Sequence, residues 1–117
     1  GLQAKPRSKY QSNCVGGINI LSRECFEKVG GFDERFIGWG GEDDAFVCAV
    51  NAMCGKYTRI NNNIYHIWHP SNKASGNPYY NQNAKLASTY CKASKDENKM
   101  KKILKEAQAY KLQHPTL

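Results

Sequence analysis

The stretch Trp39-Gly40-Gly41-Glu42-Asp43-Asp44 constrains this chain more than any other. Two consecutive glycines permit a sharp backbone turn and the close approach of another group. The residues that follow, Phe46, Val47, Val50, Met53 and Cys54, recur at three- and four-residue intervals up to Gly55. That spacing predicts an amphipathic helix beginning at Glu42 or Asp43 and stopping at Gly55. Its first turn holds three acids, where unpaired backbone N–H groups and the helix macrodipole favour negative charge. This accounts for one or two acids, but not for the diglycine and the indole beside them. An indole is a flat apolar plate, and carboxylates accept hydrogen bonds from hydroxyls. The stretch therefore reads either as a decorated helix start or as a saccharide site.

Around that helix the chain resolves into short elements. Residues 1–12 lack periodicity and read as an arm or linker. Val15, Ile18 and Ile20 suggest a short buried strand with Gly16 and Gly17 at a bulge or close approach. Ser22 is a plausible N-cap for a helix through Val29, with Phe26 and Val29 inward and Gly30-Gly31 as its stop. The β-branched and aromatic runs KYTRI and NIYHIWH read as strands separated by the turn Asn61 to Asn63. Asn77-Pro78 opens a helix to about Cys91. Ser94 with Glu97 gives a capping box for a last helix with Met100, Ile103, Leu104 and Ala107 along one face.

The formal charge of +7 makes the location of the basic residues matter. Lys92, Lys95, Lys99, Lys101, Lys102, Lys105 and Lys111 alternate with Asp96, Glu97 and Glu106 at helical spacing, the pattern of a solvated helix face. An anionic membrane surface is the alternative partner for that face. No zinc-finger, helix-turn-helix or RNA-recognition signature is present, so nucleic acid is not expected as a partner. No apolar run approaches the roughly 20 residues of a bilayer span. The five cysteines form an odd set without a CxxC pair, which argues against a disulfide framework or a zinc site. The lack of an Asn-x-Ser/Thr acceptor points the same way, toward a reduced compartment.

Two clusters could carry chemistry. A carboxylate of the Glu42–Asp44 group could accept the proton of a sugar hydroxyl as that oxygen attacks, a contribution of roughly 10²–10⁴-fold. Mutual repulsion would raise at least one of the three pKa values. Three adjacent acids on one turn do not flank a bond from two sides, as a glycosidase requires. The second cluster is His66 and His69 in YHIWHP. Imidazoles bind Mn²⁺ and Zn²⁺, but residues three apart on a strand point to opposite faces, so a shared metal requires a bend. Two ordinary hydrogen-bonded histidines are the other reading. His114 reads as a tail residue.

The string from Asn13 to Phe46, NCVGGINILSRECFEKVGGFDERFIGWGGEDDAF, together with YHIWHP, resembles the C-terminal, acceptor-side half of an inverting GT-A glycosyltransferase. It is similar to the β-1,4-galactosyltransferases, to bacterial chondroitin-polymerase-type enzymes and to polypeptide N-acetylgalactosaminyltransferases. WGGED is the most specific part. The resemblance implies Asp43 as catalytic base, with Glu42 and Asp44 binding acceptor hydroxyls. It implies Trp39 stacking on a sugar beside Gly40 and Gly41, and Gly16 and Gly17 against the donor. A metal-binding histidine would fall at His66 or His69, both of which are kept as metal residues. Mn²⁺ or Mg²⁺ and a nucleotide-sugar are the implied cofactor and co-substrate, and an oligosaccharide or polysaccharide is the implied acceptor.

Such enzymes need an upstream nucleotide-binding half with a DxD metal motif, which this sequence does not contain. The expectation is therefore a catalytic fragment, inactive alone, that moves a galactose- or N-acetylhexosamine-type sugar to a carbohydrate hydroxyl. A carbohydrate-binding or regulatory module that does no chemistry is the alternative. The expected fold class is α+β, the C-terminal portion of a GT-A fold with short strands and three to four helices. Residues 13–93 would form the acceptor-side region, and 94–117 the C-terminal helix and tail. The missing half would leave apolar surface open, with homo-oligomerisation of the fragment as one outcome. The location implied is cytoplasmic and membrane-associated for a bacterial-type enzyme, or the Golgi lumen for a eukaryotic one.

Overall fold

A computed structural model describes residues 15–62, 64, 65, 67, 69, 70 and 76–115. Its regular elements are the helices α1 (Arg23–Val29), α2 (Glu42–Cys54), α3 (Tyr80–Lys92) and α4 (Glu97–Gln113). Among the described residues there is no strand, which corrects the expected α+β class to an all-helical one. Of the segments expected as strands, Gly17 comes close to Ile64: a Cβ on Gly17 would lie 3.3 Å from Ile64 Cδ1. Ile18, Ile20, Ile60 and Ile64 are exposed. β-Branched residues suit a pleated surface, but a strand exists only where a second backbone accepts and donates its hydrogen bonds. Among the described residues no such ladder is assigned.

The helix boundaries follow local chemistry. Ser22 caps α1 by accepting from the Cys25 N–H at 3.1 Å. Gly30, at φ 78°, ends α1 in the left-handed conformation and donates to the Glu27 and Phe26 carbonyls. Two caps differ from the sequence reading. The N-cap of α4 is Asp96, whose carboxylate accepts from the Lys99 N–H at 3.0 Å, so Ser94 is left in the preceding turn. The N-cap of α3 is Tyr79, and Asn77 serves elsewhere.

The core gathers Val29, Ala45, Phe46, Ala49, Tyr90, Ala93, Met100 and Ile103 from all four helices and the α3–α4 turn. α2 is the central element, packed most extensively on α3 and then on α1 and α4. Alanines at 45, 49, 87 and 93 allow the helices to approach closely. Phe32 stacks on Phe46 with centroids 4.3 Å apart and an interplanar angle of 14°. Phe26, expected inside, is 44% exposed and touches Phe46 only at a tilt. A disulfide joins Cys25 of α1 to Cys54 of α2, against the expectation of reduced cysteines. Spacing did not reveal it because the partners lie 29 residues apart and meet only when the two helices pack.

The segment between α1 and α2 is anchored by a buried carboxylate. Asp33, with a side chain only 4% exposed, accepts from Arg35 Nε at 3.0 Å and Nη2 at 2.7 Å, and from the Arg35 backbone N–H at 2.9 Å. The buried Tyr90 hydroxyl of α3 donates to it at 2.8 Å. Arg35 extends to Glu106 and to the Ile103 carbonyl of α4, each at 3.5 Å. Burial alone would raise the Asp33 pKa, but the Arg35 and Tyr90 hydrogen bonds overcome it and hold the carboxyl below its ordinary value of 3.8. Burial comes first in pushing the Tyr90 hydroxyl up, with Asp33 adding to it.

A depressed folded-state pKa contributes stability that is present above the unfolded value and lost as pH falls through the folded one. Thermal melts from pH 6 to pH 2 should therefore show Tm falling below about pH 4, with a shallower fall in Asp33→Asn. Equal slopes in the two proteins would remove Asp33 from acid unfolding. Tyr90→Phe, which withdraws one buried donor, should cost about 1–3 kcal/mol by urea denaturation.

Candidate functional site

The three acids lie where the helical pattern predicts, in the first turn of α2. The N-cap is Gly41, which offers no side-chain cap. Its φ of 89° lies in the left-handed region, and a Cβ there would sit 3.1 Å from Ala87 Cβ and 3.2 Å from Phe36 Cε1. Position 41 thus favours glycine twice, by conformation and by tight space. Glu42 folds back so that its Oε2 accepts from the Gly40 N–H at 3.1 Å. Asp44 is exposed.

Asp43 turns toward the backbone of Gly16. A Cβ at that position would collide with Asp43 Oδ2 and stand 3.1 Å from its Cγ, so only glycine leaves the carboxylate its place. Among the described residues Asp43 forms no ion pair. Burial raises its pKa above the ordinary carboxylate value, and the charges of Glu42 and Asp44 raise it further. The contribution from its two neighbours, smaller than that of burial, has the sign that repulsion between adjacent acids leads one to expect.

Trp39 is 54% exposed and lies nearly parallel to Tyr80 of α3, with centroids 6.1 Å apart and planes 12° from each other. A Cβ on Gly40 would meet the Tyr80 ring at 3.4 Å. The two rings and the bare glycine backbone therefore form an aromatic shelf next to the acidic helix start.

Two asparagines hold this loop, and sequence reasoning did not assign them to the site. Asn77 Nδ2 donates to the Ile37 and Trp39 carbonyls at 3.0 and 2.9 Å, while its Oδ1 accepts from the Tyr79 N–H. Asn83, buried in α3, donates to the Ile37 carbonyl at 2.9 Å and accepts from the Ile37 N–H at 3.4 Å. Asn83, Ala87 and Tyr90 share one buried face of α3 at intervals of four and three. An asparagine in line with core residues was the available signal, because a buried amide must find backbone partners.

Of the expected metal residues, His66 lies outside the described residues. His69 Nδ1 is 2.9 Å from the Pro70 carbonyl oxygen. A carbonyl only accepts, so this nitrogen carries the proton and the lone pair of a neutral ring is on Nε2. Among the described residues no group of three or more His, Cys, Asp or Glu side chains could hold a metal ion. They do not make a complete metal site by themselves.

Two hollows among the described residues lie elsewhere, along Val29, Gly30, Leu104 and Gln108 of α1, its C-cap and α4, and neither is lined by Trp39 or Asp43. The acidic start and the shelf form an open surface suited to a ligand with an apolar face and a rim of hydroxyls. A family model described as the N-terminal domain of galactosyltransferase matches residues 2–72. That span exceeds half of the 117 residues, and the chain belongs to the galactosyltransferase family.

Similarity to individual relatives agrees. Human beta-1,4-galactosyltransferase 4 is 58% identical over 53 residues, covering 45% of this chain and 15% of the relative. The rat protein of the same name is 38% identical over 80 residues, covering 60% and 22%. A xylosylprotein 4-beta-galactosyltransferase of Caenorhabditis elegans is 29% identical over 86 residues, covering 68% and 29%. The chain therefore spans less than a third of the length of these relatives. No solved structure gives a significant match. The matching model carries an N-terminal description, so the expected placement in a C-terminal half is not retained.

Asn83→Ala should destabilise the chain by about 1–3 kcal/mol in urea denaturation, since it removes the buried amide that serves the Ile37 N–H and carbonyl. A change of only a few tenths would show that the loop supports itself.

Proposed function

We propose that this segment forms the acceptor-sugar face of a β-1,4-galactosyltransferase-type enzyme. The enzyme would move a galactose- or N-acetylhexosamine-type sugar from a nucleotide-sugar to a carbohydrate hydroxyl with inversion. The observation that carries the reading is the juxtaposition of the Trp39–Tyr80 shelf with Asp43, which has no cationic partner among the described residues. The aromatic shelf suits the apolar face of a pyranose, and Glu42 and Asp44 suit its hydroxyls. Asp43 is the base. Its raised pKa makes it a stronger proton acceptor than an ordinary aspartate.

In the transfer step the acceptor hydroxyl gives its proton to Asp43 and its oxygen bonds to the anomeric carbon of the donor. The bond from that carbon to the nucleoside diphosphate breaks on the opposite face, which inverts the configuration. Gly16 and Gly17 would let the donor approach the backbone. A divalent Mn²⁺ or Mg²⁺ would supply charge neutralisation for the leaving diphosphate. His66 and His69 would contribute to holding it, together with ligands beyond the described residues. The nucleotide-binding part of the enzyme is likewise the partner this reading requires. The Cys25–Cys54 disulfide and the animal relatives favour the Golgi-lumen location over a cytoplasmic one.

The test is nucleotide-sugar turnover with Mn²⁺ by the intact transferase that contains this segment. Asp43→Asn should lower kcat by about 10²–10⁴-fold. It should also leave Tm unchanged or raise it at pH 7. The sign follows from linkage: a carboxyl whose pKa is raised on folding contributes stability only below its unfolded value and loses it as pH rises through the folded one. Undiminished turnover would remove Asp43 from the mechanism. Acceptor binding without turnover in the wild-type enzyme would favour a non-catalytic sugar-binding module.

A further inference from the structure

Two cysteines that the Cys25–Cys54 disulfide does not use meet on the opposing faces of α2 and α3. The Sγ atoms of Cys48 and Cys91 lie 3.1 Å apart. A disulfide bond is about 2.05 Å long, so the two sulfurs are roughly 1 Å from bonding distance. Cys91 is exposed and Cys48 half-buried, so one thiol is open to a reagent in solution and the other sits behind it. Both belong to helices whose placement is set by the core, with Ala49 next to Cys48 and Tyr90 next to Cys91. The pair is thus brought together by packing and not by a flexible loop.

We infer that Cys48 and Cys91 are a second, redox-responsive disulfide site that cross-links α2 to α3. The oxidant is a small-molecule or protein disulfide, such as oxidised glutathione or a thiol–disulfide oxidoreductase. Cys91, as its thiolate, attacks one sulfur of that disulfide and releases the other as a thiolate, leaving a mixed disulfide. Cys48 then gives up its proton, and its sulfur displaces the second thiolate. The two cysteines lose two electrons and two protons, and the oxidant becomes two thiols. The order of events follows from exposure and from charge. Burial raises the Cys48 thiol to about 12, with Cys91 and the Asp44 charge adding to the shift, so Cys48 is the poorer first nucleophile and acts as the resolving thiol.

The cross-link would act on the elements that build the acidic surface. Cys48 lies in the helix that begins with Glu42, Asp43 and Asp44, and Cys91 lies in the helix whose Asn83 holds the Trp39 loop. Closing the bond fixes these two helices to each other. This assignment stands on the sulfur geometry and does not require that the surface bind sugar.

The test uses the intact protein equilibrated in glutathione buffers from reducing to oxidising. Remaining thiols are then blocked with N-ethylmaleimide, and the peptides are mapped without reduction by mass spectrometry. The expected result is a Cys48–Cys91 cross-linked peptide that appears as the buffer becomes oxidising, beside a Cys25–Cys54 peptide. The oxidised wild type should also melt at a higher temperature than Cys91→Ser in the same buffer. Alkylation of both Cys48 and Cys91 in the most oxidising buffer would overturn the assignment. So would a terminal product in which Cys91 is joined to Cys14 or to glutathione. The peptide map needs no variant, so poor folding of Cys91→Ser leaves the test decisive.

Discussion

The buried Asp33 carboxylate is the interaction on which the arrangement of the chain depends. The segment between α1 and α2 has no regular hydrogen-bond ladder of its own, so its position has to come from side chains. Asp33 takes up the Arg35 guanidinium and backbone N–H together with the Tyr90 hydroxyl, and Arg35 passes the connection on to α4. A buried carboxylate with several charge-assisted partners tolerates little rearrangement, because losing any one leaves a charge in a poorly solvated place. The turn is thereby fixed relative to both C-terminal helices.

A few residues later the same segment is held again, by different chemistry. Asn77 and Asn83 serve the Ile37 and Trp39 backbone groups through neutral amide hydrogen bonds, and Gly41 packs tightly against Ala87 and Phe36. Between these two anchors the chain has little freedom, so the exposed indole of Trp39 is carried on a braced loop. Pre-organisation of this kind lowers the ordering cost of binding, since an aromatic shelf that is already in place loses little entropy when a ligand settles on it. The raised Asp43 pKa comes first from its partial burial and then from the charges of Glu42 and Asp44.

The relation to galactosyltransferases sets the scale of this surface. The chain corresponds to less than a third of each relative it matches. Its acidic start is open instead of enclosed. Exposed isoleucines at 18, 20, 60 and 64 accompany that openness. In a core assembled almost wholly from helices and alanine contacts, these apolar residues find nothing to bury against among the described residues.

How much of this was legible beforehand depended on the range of the interaction involved. The span of α2 followed from its apolar period, its acids and Gly55, and α1 followed from Ser22 and the Gly30-Gly31 stop. Those are local signals, read within one or two turns of helix. Among the described residues of KYTRI and NIYHIWH the expected strands do not form, because composition records a preference, while a strand needs a partner that composition cannot supply. The caps at Asp96 and Tyr79 each lie two residues from the expected Ser94 and Asn77: Asp96 offers its own acceptor to the Lys99 N–H, and the Asn77 amide is taken up by the Ile37 and Trp39 carbonyls.

By itself, the sequence determined that three acids would crowd the head of a helix behind a diglycine turn and beside an indole, because those residues are neighbours along the chain. Only the tertiary structure decided that Asp43 would face Gly16, that Asn83 would grip Ile37, and that Cys25 would meet Cys54. Each of these contacts joins groups separated by 27 to 46 positions. Their proximity is a product of core packing, which no local pattern encodes.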